Sequence, residues 1–210
     1  MSVEAVVARR CIREVLHFTT NSGLTGILAS GSAKARSNLL EDKYVEHVLK
    51  HNCPSRRLDV RWHGHVNLSI SRINGRLFGI ANGNWHSDLD GWWCILAFDP
   101  TVLSHDNVVF TTTNNIYPSC RRGMGVAGLE AMFAPVVNGR YATAITRLPG
   151  KPDCEPTDIQ AEVLYPQEVS TAFLRRIYFR EEEHRDAAYG IFGALSLTPV
   201  ECVVHPSYFA

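Results

Sequence analysis

The stretch VLHFTTNSGLTGILASG, residues 15–31, contains an apolar strand that leads directly into a helix. Residues 15–19 are rich in apolar and β-forming side chains, which predicts a short strand. Thr20 or Asn21 can cap the following helix, and Gly31 is a typical residue to end it. On this prediction, one stripe of the helix buries Leu24, Ile27 and Leu28.

Elements of both kinds are predicted on either side of this stretch. Residues 92–98 form a nearly continuous apolar run before Pro100, which indicates a central strand covered on both faces. Residues 65–71 alternate as a half-buried strand does, and Asn74-Gly75 follows as a turn signal. The remaining predictions are helices at the N-terminus to about Arg13 and at 38–51, 126–133 and 181–195, and strands at 108–113, 161–165, 177–179 and 201–205. This order predicts one α+β domain over residues 1–210.

Residues 134–158 lack either period and are rich in Gly, Pro, Asn and Thr. A loop of this length inside a compact domain is usually functional or disordered. It leads directly into a strand that carries Glu162 among apolar residues, and a carboxylate in such a run needs a partner or a function. The loop and Glu162 are therefore candidates for a functional site, and the alternative is a carboxylate carried harmlessly at the edge of a sheet.

Composition narrows the class of protein. The chain is 45% hydrophobic and 20% charged, with no apolar run long enough for a membrane span. No secretory signal begins it, so we expect a cytoplasmic protein. The six scattered cysteines predict neither a zinc knuckle nor a disulfide framework.

The net charge of zero argues against a general nucleic-acid coat protein, but arginine supplies seventeen of the 21 basic residues. Arginine presents a planar fork that suits phosphate and base edges. Four adjacent pairs are either phosphate contacts or members of solvated faces: Arg9/Arg10, Arg56/Arg57, Arg121/Arg122 and Arg175/Arg176.

For other candidate residues, both a functional and a structural interpretation are open. His17 within the first strand is either a ligand-binding group or a satisfied structural histidine. His63 and His65 share one face of a strand, but no further ligand follows at a recognisable spacing, so no metal site is expected. The run Glu181–Glu183 is most simply the first turn of a helix, where carboxylates meet the positive end of the dipole.

Six segments, taken in their order along the chain, resemble the motifs of a known protein family. They are LHFTTNSGL at 16–24 followed by IL and G at 27–31, RLD at 57–59 with VNLSIS at 66–71, the run 93–100, FTTTNN at 110–115, GLEAMF at 128–133, and TDIQAEVL at 157–164. This series, over about residues 10–180, resembles the DarT family of DNA ADP-ribosyltransferase toxins, and is nearer its guanine-modifying branch. It departs from the family at Ile159, where proline is expected, at Asn115, where alanine is expected, and at residues 72–74.

The resemblance implies an ADP-ribosyltransferase fold with a central split, mixed or antiparallel β-sheet flanked by helices. It implies NAD⁺ as co-substrate, no metal, single-stranded DNA as substrate with guanine as the modified base, and an antitoxin with macrodomain glycohydrolase activity as partner. It assigns Glu162 and Arg57 as catalytic, with Arg57 (or its neighbour Arg56) on the pyrophosphate. The residues that it implies for NAD⁺ binding are His17, Thr19, Asn21, Arg57, Ser69 and Ser71.

The assignment of Glu162 is chemically reasonable. Cleavage of the nicotinamide–ribose bond passes through an oxocarbenium-like state, which a facing carboxylate stabilises more than the ground state. A nucleobase is reachable in a single strand, where aromatic side chains can stack on it; Trp85, Trp92 and Tyr117 are candidates, although each is also a natural core residue. The alternatives are transfer to RNA or protein, a non-catalytic NAD⁺- or nucleic-acid-binding module of this fold, and an unrelated structural α+β domain.

Overall fold

The computed structural model describes residues 1–39, 61–82 and 91–209. Within these ranges, helices flank an eight-stranded sheet, and two small two-stranded sheets accompany it. The strands are β1 Val15–Thr20, β2 Ser32–Lys34, β3 His65–Ile70, β4 Trp93–Phe98, β5 Val109–Thr111, β6 Arg122–Met124, β7 Val136–Asn138, β8 Ala144–Thr146, β9 Val163–Pro166, β10 Glu168–Ser170, β11 Leu174–Phe179 and β12 Glu201–Val204. The α-helices are α1 Val3–Arg9, α2 Asn21–Ser30, α3 Arg36–Leu39, α4 Gly75–Ile80, α5 Gly125–Ala131 and α6 Glu182–Ala194.

The large sheet has the strand order β12-β11-β4-β1-β3-β9-β5-β6. Its neighbouring strands are antiparallel except for the parallel pair β11–β12, so the sheet is mixed. A predicted α+β fold with a mixed sheet and flanking helices is therefore confirmed.

The opening stretch folds as predicted. β1 begins at Val15, and Thr20 caps α2 by accepting a hydrogen bond from the backbone N–H of Gly23 at 3.3 Å. The helix ends at Gly31, whose φ of 74° is the left-handed conformation that glycine adopts without strain. Local sequence signals are sufficient to predict this region, because the strand, the N-cap, the helix and the C-terminal glycine follow one another directly.

Two local predictions are wrong. Asn74 starts a helix rather than a turn, because its side chain accepts from the N–H of Leu77 and thereby caps α4. The patternless segment 134–158 contains the small hairpin β7–β8, whose short strands leave most of their side chains exposed and so show no burial period. Of the helix predicted at 38–51, residues 40–51 lie outside the described residues.

The sheet splits between β1 and β3. These strands pair only at Val15–Ile70 and Leu16–Ser69, whereas β1 pairs with β4 all the way to Thr20. β3 continues to pair with β9 as far as His65. The two strands therefore separate after Leu16, as the predicted split sheet requires. Beyond that point, the edges of β1 and β3 that face each other are not joined by strand pairing.

Hydrophobic side chains cover both faces of the sheet. The larger cluster takes Val15 from β1, together with residues of α2 and α6, and the smaller one takes Leu16, with Phe78 of α4 and Phe209 packed over it. This alternation places Phe18 on the same face as Leu16. The described cysteines are free thiols, and none of the helices in the described part of the chain has the length and apolar character needed to cross a membrane.

Candidate active site

Glu162 lies immediately before β9, is 5% exposed, and is held by hydrogen bonds to both carboxylate oxygens. Oε1 accepts from Asn67 Nδ2 at 2.9 Å, and Oε2 accepts from the backbone N–H of Asn115 at 2.8 Å. The Glu162 backbone is fixed as well, because its N–H donates to Thr111 Oγ1 and its carbonyl accepts from the N–H of Thr111. Two donors on different segments thus set the orientation of one buried carboxylate.

His17 contacts the same asparagine across the split. Its Nδ1 lies 3.0 Å from the Asn67 carbonyl oxygen. A carbonyl can only accept, so Nδ1 carries the proton, and in the neutral ring Nε2 is the acceptor nitrogen. Asn67 therefore joins the predicted histidine and the predicted glutamate, the first through its backbone and the second through its side chain.

The end of the loop before Glu162 is fixed by Asp158, which is 4% exposed. Its Oδ2 accepts from Thr113 Oγ1 at 2.5 Å, and its Oδ1 accepts from the backbone N–H of Gln160 at 3.0 Å. Its carbonyl oxygen accepts from the N–H of Ala161. These bonds define the turn that leads into Glu162, so Asp158 fixes the backbone just before the carboxylate.

Two basic side chains organise the earlier part of this loop. Arg147 donates from Nη1 to the carbonyl of Glu155 and from Nη2 to that of Pro152, each at 2.7 Å. Lys151 donates to the carbonyl of Thr157 at 3.2 Å, and burial lowers the pKa of its ammonium group. Loop carbonyls that no ladder would satisfy are thus satisfied by side chains.

Arg122 anchors Asn115 from the other side. Its Nε donates to Asn115 Oδ1 at 2.7 Å, and its Nη2 donates to the Asn115 carbonyl. The asparagine that departs from the family pattern therefore supplies an acceptor that alanine would lack. The Arg122 guanidinium also lies 5.8 Å from the centroid of the Trp62 ring.

The strand that carries Arg122 packs directly on α5 through two glycines. A Cβ atom on Gly128 would lie 2.3 Å from the carbonyl carbon of Gly123, and one on Gly123 would lie 2.9 Å from the Cα of Gly128. Neither position has room for a side chain, so the two backbones touch. This contact fixes β6, and with it Arg122.

The structure does not bring the other predicted ligand-binding residues together: Thr19 and Asn21 lie past the point where the strands part, whereas Ser69 and Ser71 lie at or beyond the closed end. Ser69 pairs with Leu16 where the strands still meet, and Ser71, with φ 60°, donates its N–H to the Glu14 carbonyl beyond the closed end. Thr19 lies against the first turn of α2, where a Cβ on Gly23 would meet its Oγ1. Asn21 donates its backbone N–H to the Trp92 carbonyl at 2.9 Å. Arg56, Arg57 and Trp85 lie outside the described residues.

The remaining candidates take structural positions. Trp92 stacks on His184 at 5.3 Å and packs edge-on against Phe179, while the Tyr117 hydroxyl donates to Gln160 Oε1. Glu182 and Glu183 form the first turn of α6, as predicted. In residues 1–39, 61–82 and 91–209, no group of three His, Cys, Asp or Glu side chains could hold a metal ion.

Sequence reasoning missed the residues that position Glu162. Asn67 is a polar residue of an alternating strand, and nothing in that pattern separates a functional position from a solvated one. Asn115 and Asp158 lay inside segments of the resemblance, but without a role. The available signal was the cluster of side-chain acceptors and hydroxyls just before and opposite an acidic residue in a strand.

Comparisons with known proteins agree with this architecture. The family model described as "DarT: ssDNA thymidine ADP-ribosyltransferase" matches residues 16–210. Among solved structures, the Thermus sp. 2.9 DarT in complex with NAD⁺ is 16% identical with a TM-score of 0.64, covering 94% of this chain and 98% of that one. The same protein with ADP-ribosylated ssDNA is 13% identical with a TM-score of 0.60, covering 94% and 96%. Thermosipho africanus DarTG in complex with ADP-ribose is 15% identical with a TM-score of 0.59, covering 94% and 51%. No curated protein matched the chain significantly.

Proposed function

The chain belongs to the DarT family of single-stranded DNA ADP-ribosyltransferases, and on that premise we propose that it transfers ADP-ribose from NAD⁺ to a nucleobase of single-stranded DNA with Glu162 as the catalytic residue. The observation that carries the proposal is the buried Glu162 carboxylate, oriented by Asn67 and by the Asn115 N–H beside the split of the sheet. The complexes of Thermus sp. 2.9 DarT with NAD⁺ and with ADP-ribosylated ssDNA support both substrates.

The proposed role of Glu162 is electrostatic. Positive charge develops on the ribose as the nicotinamide bond breaks, and a preorganised carboxylate stabilises that charge without reorganising at the moment of reaction. Amide donors from Asn67 and Asn115 keep the carboxylate in one orientation. In the proposed reaction the same carboxylate also accepts a proton from the attacking base.

The residues proposed to bind NAD⁺ fit a ligand rich in hydroxyl and phosphate oxygens. His17 offers an imidazole whose tautomer is set by the Asn67 carbonyl, and Thr19, Asn21, Ser69 and Ser71 offer short hydrogen-bonding side chains. Arg57 is proposed on the pyrophosphate, where a guanidinium makes paired hydrogen bonds that lysine cannot match. NAD⁺ supplies the ADP-ribosyl group, and no metal takes part in the proposed reaction.

Arg56 and Arg57 are distinguished by single substitutions. We expect Arg57→Ala to weaken NAD⁺ binding by roughly 10- to 100-fold, as for loss of a charged hydrogen bond, and Arg56→Ala to leave it nearly unchanged. Calorimetric titration of each variant with NAD⁺ measures both. Equal small losses would rule out the pyrophosphate role, and a loss confined to Arg56→Ala would move it to Arg56.

The central experiment incubates the protein and its Glu162→Gln variant with NAD⁺ and short single strands, followed by mass spectrometry. We expect a gain of one ADP-ribose on DNA with the wild type and a rate lower by ~10²–10³ with the variant, whose side chain keeps the size but not the charge. RNA oligonucleotides and an unrelated protein are included as competing acceptors. Modification of these alone would replace the DNA proposal, and tight NAD⁺ and strand binding with no transfer would indicate a non-catalytic module.

The modified base is a finer prediction. The resemblance favours guanine, whereas the family model is described by its thymidine activity. Oligonucleotides that contain a single guanine or a single thymine, in otherwise identical polyadenine or polycytosine strands, separate the two. Modification of the guanine strand alone would support the prediction, and modification of the thymine strand alone would replace it with the activity in the family description.

A cellular role follows from this chemistry. Modified template bases block replication, so we propose a toxin that acts in the cytoplasm and is neutralised by a partner with macrodomain glycohydrolase activity. Controlled expression in a bacterial host should arrest growth with the wild type and not with Glu162→Gln. Growth that is equal for the two proteins at equal abundance would contradict the toxin role while leaving the transfer reaction intact.

A further inference from the structure

The segment 114–149 combines exposed apolar side chains with arginine. Among the described residues, nine large hydrophobic side chains are exposed, and four of them lie within this segment: Met124, Val136, Tyr141 and Leu148. The segment 114–149 contains four arginines but only one carboxylate, Glu130, in a chain of zero net charge. That carboxylate is paired with Arg9 and Arg10. Aromatic and apolar groups interleaved with arginine are typical of surfaces that bind single-stranded nucleic acid.

Among the large hydrophobic side chains of the described residues, Tyr141 is the most exposed, at 83%. It lies at the tip of the β7–β8 hairpin, and the Arg140 guanidinium lies 4.7 Å from its ring centroid. A cation over one face of an aromatic ring is attracted to that face by the ring quadrupole. Because most of the residue is exposed, the opposite face is available to a flat partner.

The backbone of this tip is unusual for its sequence. Tyr141 and Ala142 both have left-handed φ values, of 56° and 59°. Hairpin turns normally place Gly, Asn or Asp in such conformations, and strained backbone of this kind clusters at ligand clamps. The turn itself is well held, since Gly139 donates its N–H to the Thr143 carbonyl at 2.8 Å.

The tip is tied to the segment that orients Glu162. Ser119 Oγ donates to the Gly139 carbonyl at 2.6 Å, and Ser119 follows four residues after Asn115, whose N–H holds the Glu162 carboxylate. An aromatic platform is thus connected by one hydrogen bond and one short segment to the proposed catalytic group. Exposed arginines flank the connection at Arg121 and Arg140.

We propose that the Tyr141–Arg140 pair is a stacking platform for a base of the DNA strand next to the modified one, so that this tip determines the affinity for single strands. The inference rests on the proposed function for its ligand. Stacking on a ring is tolerant of sequence, because every base has a π-face. The platform therefore holds the strand while leaving the choice of the modified base to the site around Glu162.

The test measures binding and transfer separately. Binding of a fluorescent single strand is followed by anisotropy for the wild type, Tyr141→Ala, Tyr141→Phe and Arg140→Ala, and 2-aminopurine placed at successive positions reports which base stacks. Tyr189→Ala is the matched control, because Tyr189 is also an exposed tyrosine but lies on α6, which packs against β11 and β12 at the opposite end of the sheet. NAD⁺ affinity is measured for every protein.

We expect Tyr141→Ala to raise the Kd for DNA roughly 5- to 100-fold and to abolish quenching at one position beside the target. Tyr141→Phe should bind within about twofold of the wild type, because it keeps the ring. Tyr189→Ala should bind as the wild type does, and NAD⁺ affinity should not change in any variant.

The outcomes separate the two proposals. Wild-type transfer to DNA with equal affinity for the wild type and Tyr141→Ala would overturn the platform and leave the proposed function standing. Tyr141-dependent binding of DNA without transfer would support the platform and overturn the proposed function. Stronger Tyr141 dependence for RNA than for DNA would overturn DNA as the occupant, and absence of any binding or transfer would overturn both proposals.

Discussion

The two halves of the large sheet differ in what they bury. The β1 half consists of strands β12, β11, β4 and β1, and three of these strands have six residues. The β3 half consists of strands β3, β9, β5 and β6, and only β3 is that long. Among the described residues, ten polar or charged residues are buried, and seven belong to segments 111–115 and 157–162 of the β3 half. Buried polar groups stabilise only when every hydrogen bond is satisfied, so they are a costly way to build a core. The difference indicates that the β1 half carries the stability and the β3 half carries the site.

The largest expected effect tests the β1 half. Phe98 is fully buried at the end of β4, and Phe98→Ala should lower the free energy of unfolding by about 3–5 kcal/mol through lost burial and a cavity. Its transfer rate per folded molecule should stay close to that of the wild type. Urea titration measures the first quantity, and initial rates at low temperature measure the second. A loss of rate as large as that from a Glu162 variant would contradict the proposal that the β1 half provides stability and the β3 half provides the site.

The next effect tests the β3 half. Asn67→Ala removes the donor to Glu162 Oε1 but keeps the backbone carbonyl that His17 contacts. We expect the transfer rate to fall roughly 10- to 100-fold, as for loss of a hydrogen bond to a charged group. Glu183→Ala, at an exposed position of α6, is the control and should keep full activity. Steady-state kinetics at saturating NAD⁺ and DNA measures kcat for both variants. An unchanged kcat for Asn67→Ala would show that Asn67 does not position the carboxylate.

A third, smaller effect compares two threonine–aspartate hydrogen bonds. Thr113 donates to Asp158 inside the β3 half, and Thr101 donates to Asp99 at an exposed position after β4. Thr113→Val should cost about 1–3 kcal/mol of stability and also lower kcat, because it leaves a buried carboxylate oxygen without its donor. Thr101→Val should change stability by no more than about 0.5 kcal/mol and leave kcat unchanged. Equal changes in the two variants, measured by thermal unfolding and initial rates, would contradict the comparison.

The smallest effect is a difference in local opening. Cys94 in β4 and Cys120 beside β6 are both buried, and burial raises the pKa of each thiol, so both react only when the surrounding structure opens. We expect Cys120 to be alkylated roughly fivefold faster than Cys94 under native conditions, because loops and short strands surround it. Peptide-resolved mass spectrometry after timed labelling measures both rates. Faster labelling of Cys94 would instead show that the β1 half opens more readily than the β3 half.

The sequence predicted the β1 half better than the β3 half for physical reasons. The run 92–98 and the stretch 15–31 have strong local signals, since their burial follows one period and their caps and stops are adjacent. The hairpin of residues 136–146 has three-residue strands with mostly exposed side chains, so no period exists to be recognised. Position 74 illustrates a different ambiguity, because asparagine before glycine suits a turn and a helix cap equally.

The site was predictable in its chemical groups but not in its geometry. Glu162 and His17 could be named from their settings, and the structure joins both to Asn67. That asparagine could not be named, because its role depends on a gap between β1 and β3 that arises only when the strands part. Asn115 likewise acquires its role from a backbone N–H, which every residue but proline possesses.

The contact between Gly123 and Gly128 limits how this lineage can diverge. Any side chain at either position pushes β6 away from α5, and the displacement passes through Arg122 to Asn115 and the Glu162 carboxylate. A side chain at either glycine should therefore be tolerated less well than a substitution at an exposed position, although neither glycine contacts Glu162. Steric exclusion at a distance from the carboxylate would then restrict evolution of the site as firmly as the chemistry of the carboxylate itself.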